Sequence, residues 1–306
     1  MKRVSVLCCF LLIALSVQSQ IEPGGLSRAL LHNTVRIEVI KPNESGCGTG
    51  FFFYFPSKVN GMQIPVVVTC WHVVQDATAG RFVVGLQTNP DKQDRAEYSF
   101  DKDFEKCWIR HPDTNVDLAI MPIASFLQQV RSAHRELNYH LFSENNIASK
   151  SEMQTYSVFQ EVKFVGYPIG IWDQSNNLPV IRRGMTATDP TVDYNGETKF
   201  LIDAAVVPGS SGSPVVIADE GAYMQGSTYV SGGSRLRLLG IISQYYFLNS
   251  EGKVEIREVP SSFDTNVITK VPVNLGVVIR AERLYDFVPI LDKLASEQQG
   301  MNSPSK

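Results

Sequence analysis

Short apolar runs broken by Gly, Pro and Asn dominate this chain. The segments 34–40, 50–55, 64–69, 81–86, 117–123, 162–167, 199–203, 214–217, 236–247 and 275–280 are rich in Val, Ile, Phe and Thr and read as strands. Helical periodicity is scarce. One candidate, 124–137, is only loosely periodic; the other closes the chain, where Leu284, Phe287, Val288, Leu291 and Leu294 fall on one helical face. Pro289 inside that segment predicts a kink or a second helix start. Many strands and few helices predict an all-β sandwich or barrel architecture, with more strands than one small barrel requires. The polar stretch 140–153 separates them, so we expect a β domain at 28–139, a linker at 140–153, a second β domain at 154–280, a helix at 281–295 and a disordered polar tail at 296–306. There is no internal repeat.

Residues 1–19 stand outside this pattern. Lys2 and Arg3 precede an apolar stretch at 4–17, and Val17 with Ser19 supplies small residues at −3 and −1 of a cleavage point, the form of a secretory signal. A membrane anchor is the alternative, but the stretch is shorter than the ~20 apolar residues of a spanning helix. The expectation is an exported mature chain, periplasmic or extracellular, with no stable membrane anchor. Composition supports a folded protein: of 306 residues, 43% are hydrophobic and 19% charged, too apolar for wholesale disorder and near the practical limit of one core. The net charge of −3, without blocks of like charge, gives no basic footprint for nucleic acid.

Five cysteines become three when Cys8 and Cys9 leave with the leader. Cys47, Cys70 and Cys107 allow at most one internal disulfide, in a pairing the sequence leaves open, so the fold must rest on its core. Neither CxxC nor HExxH occurs, and His134 and His140 lie on a polar stretch where solvated imidazoles are expected rather than metal ligands. No metal or cofactor is expected.

Three segments carry chemistry. In VPGSSGSPVV (207–216), a Gly/Ser cluster between apolar runs lets the N–H groups of Gly209 and Ser211 face an oxygen on the carbon that Ser211 attacks; a plain hairpin loop is the alternative. In VVTCWHVV (67–74), His72 ends an apolar strand, placed either for proton transfer or as a satisfied core histidine. In TNVDLAIMPI (114–123), Asp117 sits between apolar residues and needs a donor, either a histidine N–H or backbone N–H groups. Asp113, in HPDT, reads as an exposed turn. The order His72, Asp117, Ser211 is one of the known orders of a His–Asp–Ser triad; no Asp precedes His72 and no His follows Ser211, which excludes two others.

With these residues in place, the chain resembles trypsin-like serine proteases, and among them the exported bacterial Deg/HtrA-type proteases. The similar stretches are CGTGFFF (47–53), VVTCWHVV, VDLAIM (116–121), FVGYPIG (164–170), IDAAVVPGSSGSPVV (202–216), LLGIIS (238–243) and LGVVIRAERL (275–284). The resemblance implies two packed Greek-key β-barrels with a C-terminal helix, the site lying between the barrels. It implies peptide-bond hydrolysis through an acyl-enzyme, with polypeptides as substrates. It also implies an added substrate strand along Ile241, Ile242, Ser243 and Gln244, and a specificity pocket lined by Ala205 and Val206. Asp203 is then the only nearby carboxylate that could favour a basic side chain.

Three positions depart from the family pattern. Trp71 precedes the histidine where Asn or Ala is usual and would narrow the adjacent pocket. Ser213 replaces a second Gly, a change tolerated where no positive φ is needed. Ser210 replaces the Asp that digestive relatives pair with a new N-terminus. No PDZ domain is expected after the last helix, and the segment 249–272 is either a lid, a regulatory loop or an inert excursion. A catalytically silent homologue that binds extended peptides or an envelope partner is the rival reading; oligomeric state is left open.

Overall fold

The structure is a computed structural model that describes residues 25–59, 61, 63–87, 95–248, 254–258 and 271–302. The predicted leader lies outside the described residues, as do 249–253 and 259–270 of the segment after the presumed substrate strand.

Helix α1 (Gly25–Leu31) leads into the first half, which holds strands β1 (Thr34–Ile40), β2 (Ser45–Pro56), β3 (Gln63–Thr69), β4 (Ala79–Gly85), β5 (Arg95–Phe100), β6 (Ile109–Arg110), β7 (Ala119–Pro122) and β8 (Phe142–Ser143). They form one sheet in the order β5-β4-β1-β2-β3-β7-β6, with β8 parallel to β2 and every other pairing antiparallel. The run of phenylalanines in β2 is intelligible in this setting. Successive strand residues face opposite sides, so Phe51, Phe52 and Phe53, each 0% exposed, need cover on both. Phe142 meets Phe51 edge-on at 6.0 Å, and Tyr139 meets Phe52 at 5.3 Å. Two helices interrupt the strands: the single turn α2 (Trp71–Val74) directly after β3, and α3 (Ala124–Ser132). The latter stops short of the predicted 137, because the chain turns at His134, whose φ is 53°, and Leu137 bridges back to Leu86.

The second half begins after the single turn α4 (Lys150–Met153) and contains β9 (Glu161–Gly166), β10 (Val180–Thr186), β11 (Lys199–Asp203), β12 (Pro214–Gln225), β13 (Thr228–Leu248), β14 (Val254–Glu258) and β15 (Val271–Arg280). Its order is β12-β9-β10-β11-β15-β13-β14, and the further pairing of β12 with β13 closes the sheet on itself. Closure leaves β14 outside, hydrogen-bonded among the described strands to β13 alone. The β12–β13 hairpin runs far beyond the apolar segments that foreshadowed it, since its polar, Gly-rich outer part projects from the sheet with Glu220, Met224 and Tyr229 exposed.

Each sheet has its own buried core, but the first extends across the seam to take in Val216, Leu238, Ile241 and Ile279 of the second half. The C-terminal segment straps the halves together. A 3-10 stretch at Ala281–Phe287 precedes α5 (Val288–Asn302), so Pro289 marks a second helix start rather than a kink, at a position where its missing N–H costs nothing. Leu284, Phe287 and Leu291 are buried against the first core. The tail expected to be disordered from Ser296 is helical as far as Asn302. No helix among the described residues is long and apolar enough to cross a membrane. The architecture is therefore mostly β, two sheets and a C-terminal helix, as the pattern of apolar runs predicts.

Candidate active site

His72 is presented by the one-turn helix that follows β3, with its ring at the seam between the two sheets. The backbone N–H of His72 donates to Asp117 Oδ1 at 2.9 Å, and His72 Nδ1 lies 2.6 Å from Asp117 Oδ2. A carboxylate only accepts, so Nδ1 carries the proton and Nε2 is left as the acceptor. Nε2 lies 2.8 Å from Ser211 Oγ, which donates to it. Residues 72, 117 and 211, far apart in sequence, are thus joined in one hydrogen-bonded line, and the donor that Asp117 requires is the histidine. Asp113 takes a different part: exposed, it accepts from the Asn115 N–H and pairs with Arg283, and these contacts, the backbone bond first, hold its carboxyl below the usual range.

The turn that carries Ser211 is immobilised from all sides. Ser210 N–H donates to Val207 O at 3.1 Å, and with Pro208 second and Gly209 third, at φ +85°, this is a type II turn. Pro208 O accepts from Ile169 N–H at 2.6 Å, Gly209 O from Thr49 Oγ1 at 2.8 Å, Ser210 O from Ser213 N–H at 3.0 Å and Ser211 O from Thr49 N–H at 2.8 Å. Every carbonyl from Val207 to Ser211 is therefore held by a donor. Because the Pro208–Gly209 peptide is trans, fixing the Pro208 carbonyl towards Ile169 turns the Gly209 N–H to the opposite side.

Thr49 is the residue that sequence reading missed. Besides those two bonds, its Oγ1 accepts from Tyr167 N–H at 3.2 Å and its carbonyl accepts from Thr69 Oγ1 at 2.7 Å. One side chain of the first sheet thereby anchors the nucleophile turn of the second. The signal was present in CGTGFFF and FVGYPIG, but nothing local reveals that these two stretches meet. Glycines enforce the approach: a Cβ on Gly212, at φ +83°, would stand 2.0 Å from Thr49 O, and one on Gly166 would stand 2.2 Å from Ser213 Oγ. Ile169, a β-branched residue at φ 50°, pays locally for its place beside Pro208.

The remaining predicted positions fall as follows. Ser213 has no positive φ, so its side chain is accommodated, although the hydroxyls of Ser210, Ser213 and Ser243 are buried without a hydrogen-bond partner. Trp71 is half-buried against the first core, with the Arg110 guanidinium 5.2 Å from its ring centre. Ala205 is exposed, whereas Val206 is drawn into the second core, where a Cβ on Gly276 would meet it at 2.5 Å. Along β13, Ile241 lies between Pro214 and Ile279, and Ile242 exchanges backbone bonds with Gly212 and Ser213. Gln244 lies between Glu258 of β14 and Val277 of β15. Of the four residues expected to receive a substrate strand, three are already flanked by the chain's own backbone.

No disulfide forms among Cys47, Cys70 and Cys107, all buried. Cys70 Sγ donates to Ile242 O at 3.2 Å. Its sulfur, a His72 ring nitrogen and an Asp117 oxygen lie within 4.8 Å of one another, a donor set of the type zinc accepts. These atoms are engaged, however, in the bonds described above.

Comparison with known proteins identifies the class. The family described as Trypsin-like peptidase domain matches residues 48–223, more than half of the chain and the span that includes all three aligned side chains. The chain belongs to this family. Among solved structures it is similar to an HtrA-type protease, AlgW, with a tripeptide (15% identity, TM-score 0.47, covering 87% of this chain and 62% of that one). It is also similar to a serine endoprotease from Yersinia pestis (14%, TM-score 0.45, 87% and 65%) and to the MamO protease domain from Magnetospirillum magneticum (16%, TM-score 0.40, 77% and 95%). The chain thus spans less than two thirds of the length of the first two. No curated protein matches it.

Proposed function

We propose that the protein is an exported serine endopeptidase that cleaves polypeptides through an acyl-enzyme. Ser211 Oγ attacks the scissile carbonyl carbon while its proton passes to His72 Nε2; the tetrahedral intermediate then expels the amine, which takes that proton. Water, deprotonated by the same nitrogen, releases the acid and restores Ser211. Asp117 holds the tautomer and stabilises the imidazolium. The N–H groups of Gly209 and Ser211 receive the oxyanion, each such donor being worth roughly 10²- to 10³-fold in rate. Exposed Ala205 contributes to the wall that receives the side chain before the scissile bond.

The observation that carries this reading is the line Asp117–His72–Ser211, with contacts of 2.6 and 2.8 Å, set against a turn whose carbonyls are all tied back. One observation favours the rival reading of a silent, peptide-binding homologue: Ser211 is 0% exposed. A fluorophosphonate probe separates the two. The protease is labelled at Ser211, as mass spectrometry of the adduct would show, and Ser211→Ala lowers casein hydrolysis by about 10⁶-fold. Absence of any adduct, or a Ser211→Ala variant with comparable turnover, would overturn the assignment.

A further inference from the structure

The strand pairings say what now lies where a substrate would add. Strand β13 has two edges. One is paired with β15, from Gly240↔Arg280 to Leu248↔Val271. The other is paired with β12 as far as Pro214↔Ile241, after which β12 departs towards Ser211. It is paired again from Gln244↔Glu258 to Leu248↔Val254, by β14. Since β15 fills the first edge, β12 and β14 share the second, and the nucleophile turn sits at the gap between them, opposite Ile242 and Ser243. The register of β13 shifts between Ile242 and Gln244, so the strand is irregular at that gap.

A polypeptide lying antiparallel to β13 with its scissile bond at Ser211 has to place the residues before that bond along Gln244 and Tyr245. Glu258 and Arg257 already stand opposite those two positions, also antiparallel. The complete burial of Ser211 agrees with a site that is shut in this conformation.

We propose that β14 is a resident stand-in for the non-primed half of an extended substrate, and that the edge of β13 from Gln244 to Leu248 is a strand-exchange surface whose external partner is an unfolded polypeptide segment. This deepens the endopeptidase reading and rests on it for the position of the scissile bond. Main-chain hydrogen bonds dominate such strand addition, so the exchange selects chains that present several extended residues before the cleaved bond. Short substrates do not compete with β14, and folded proteins cannot.

The test weakens β14 with Ile256→Pro together with Arg257→Pro. Neighbouring residues of a strand turn their N–H groups to opposite edges, so one of the two substitutions must remove a donor facing β13. Hydrolysis of a thioester carrying a single acyl-amino acid is compared with that of a tetrapeptide thioester of the same last residue. The ratio of kcat/KM, tetrapeptide over single residue, should rise roughly tenfold in the variant, the effect of losing about one ladder hydrogen bond. An unchanged or lowered ratio overturns the proposal. A second measurement is independent of catalysis: in the Ser211→Ala background, binding of a fluorescent extended peptide followed by anisotropy should tighten by the same factor when the two prolines are added. Tightening without turnover in the Ser211 protein keeps the strand exchange and rejects the protease; turnover without a length effect does the reverse.

Discussion

Thr49→Val removes one oxygen and keeps the shape of the side chain, so its consequences can be counted from the bonds that oxygen makes. Oγ1 donates to Gly209 O and accepts from Tyr167 N–H, at 2.8 and 3.2 Å, in a place where Thr49 is fully buried. Each orphaned buried group costs about 1–3 kcal/mol, so the variant should lose roughly 2–6 kcal/mol, and the melting temperature should fall by roughly 3–10 °C. Tyr167, no longer tied to the first sheet, releases the nearby Ile169 N–H that holds the Pro208 carbonyl, and the Gly209 N–H of that same peptide can then turn away from the oxyanion. The expected kinetic signature is a fall in kcat of up to about 10²-fold, with KM within roughly twofold, because only the transition state uses that donor. Thermal melts and steady-state kinetics on a peptide thioester measure both quantities, and binding of a peptide boronate, a mimic of the tetrahedral state, should weaken in parallel with kcat. Thr49→Ser keeps the oxygen and should restore most of each loss. A valine variant with the melting temperature and kcat of the parent would refute the view that Thr49 holds the nucleophile turn.

Two further outcomes follow from local geometry. Ile169→Gly should raise the melting temperature by roughly 2–4 °C, since relief of a strained positive φ of about 1–3 kcal/mol exceeds the ~0.5–1 kcal/mol of added chain entropy; no gain would mean that Ile169 is unstrained. Burial pushes the Cys47 thiol above its ordinary value of 9.0, partly offset by Arg36. The unfolded chain therefore ionises first on the alkaline side, so this contribution to stability is complete below pH ~9 and is lost as the pH rises through the raised folded value. Cys47→Ala should flatten the alkaline fall in denaturation free energy measured between about pH 8 and 10.5, and an unaltered slope would remove Cys47 as its source.

What composition and pattern determine by themselves is the supply of elements and of reactive groups. Apolar runs such as 50–55 and 236–247 have to be buried wherever the chain goes, so mostly β structure follows from them alone, and the segment around Leu284 and Leu291 shows its helical face without help. An acid enclosed by Val116 and Leu118 demands a donor, and the order of His72, Asp117 and Ser211 narrows the chemistry before any coordinates exist. Contacts between segments are another matter, because their free energy depends on which strands become neighbours, and no local preference encodes that. Thr49 is one polar residue in an apolar strand until Gly209 and Tyr167 arrive beside it. Val206 reads as a pocket wall until Gly276 draws it into the core. The edge of β13 reads as open to substrate until β14 pairs with it from Gln244 to Leu248. Tertiary structure decided these three because a hydrogen bond or a buried methyl group has its value only once its partner, distant along the chain, has been brought within a few ångströms.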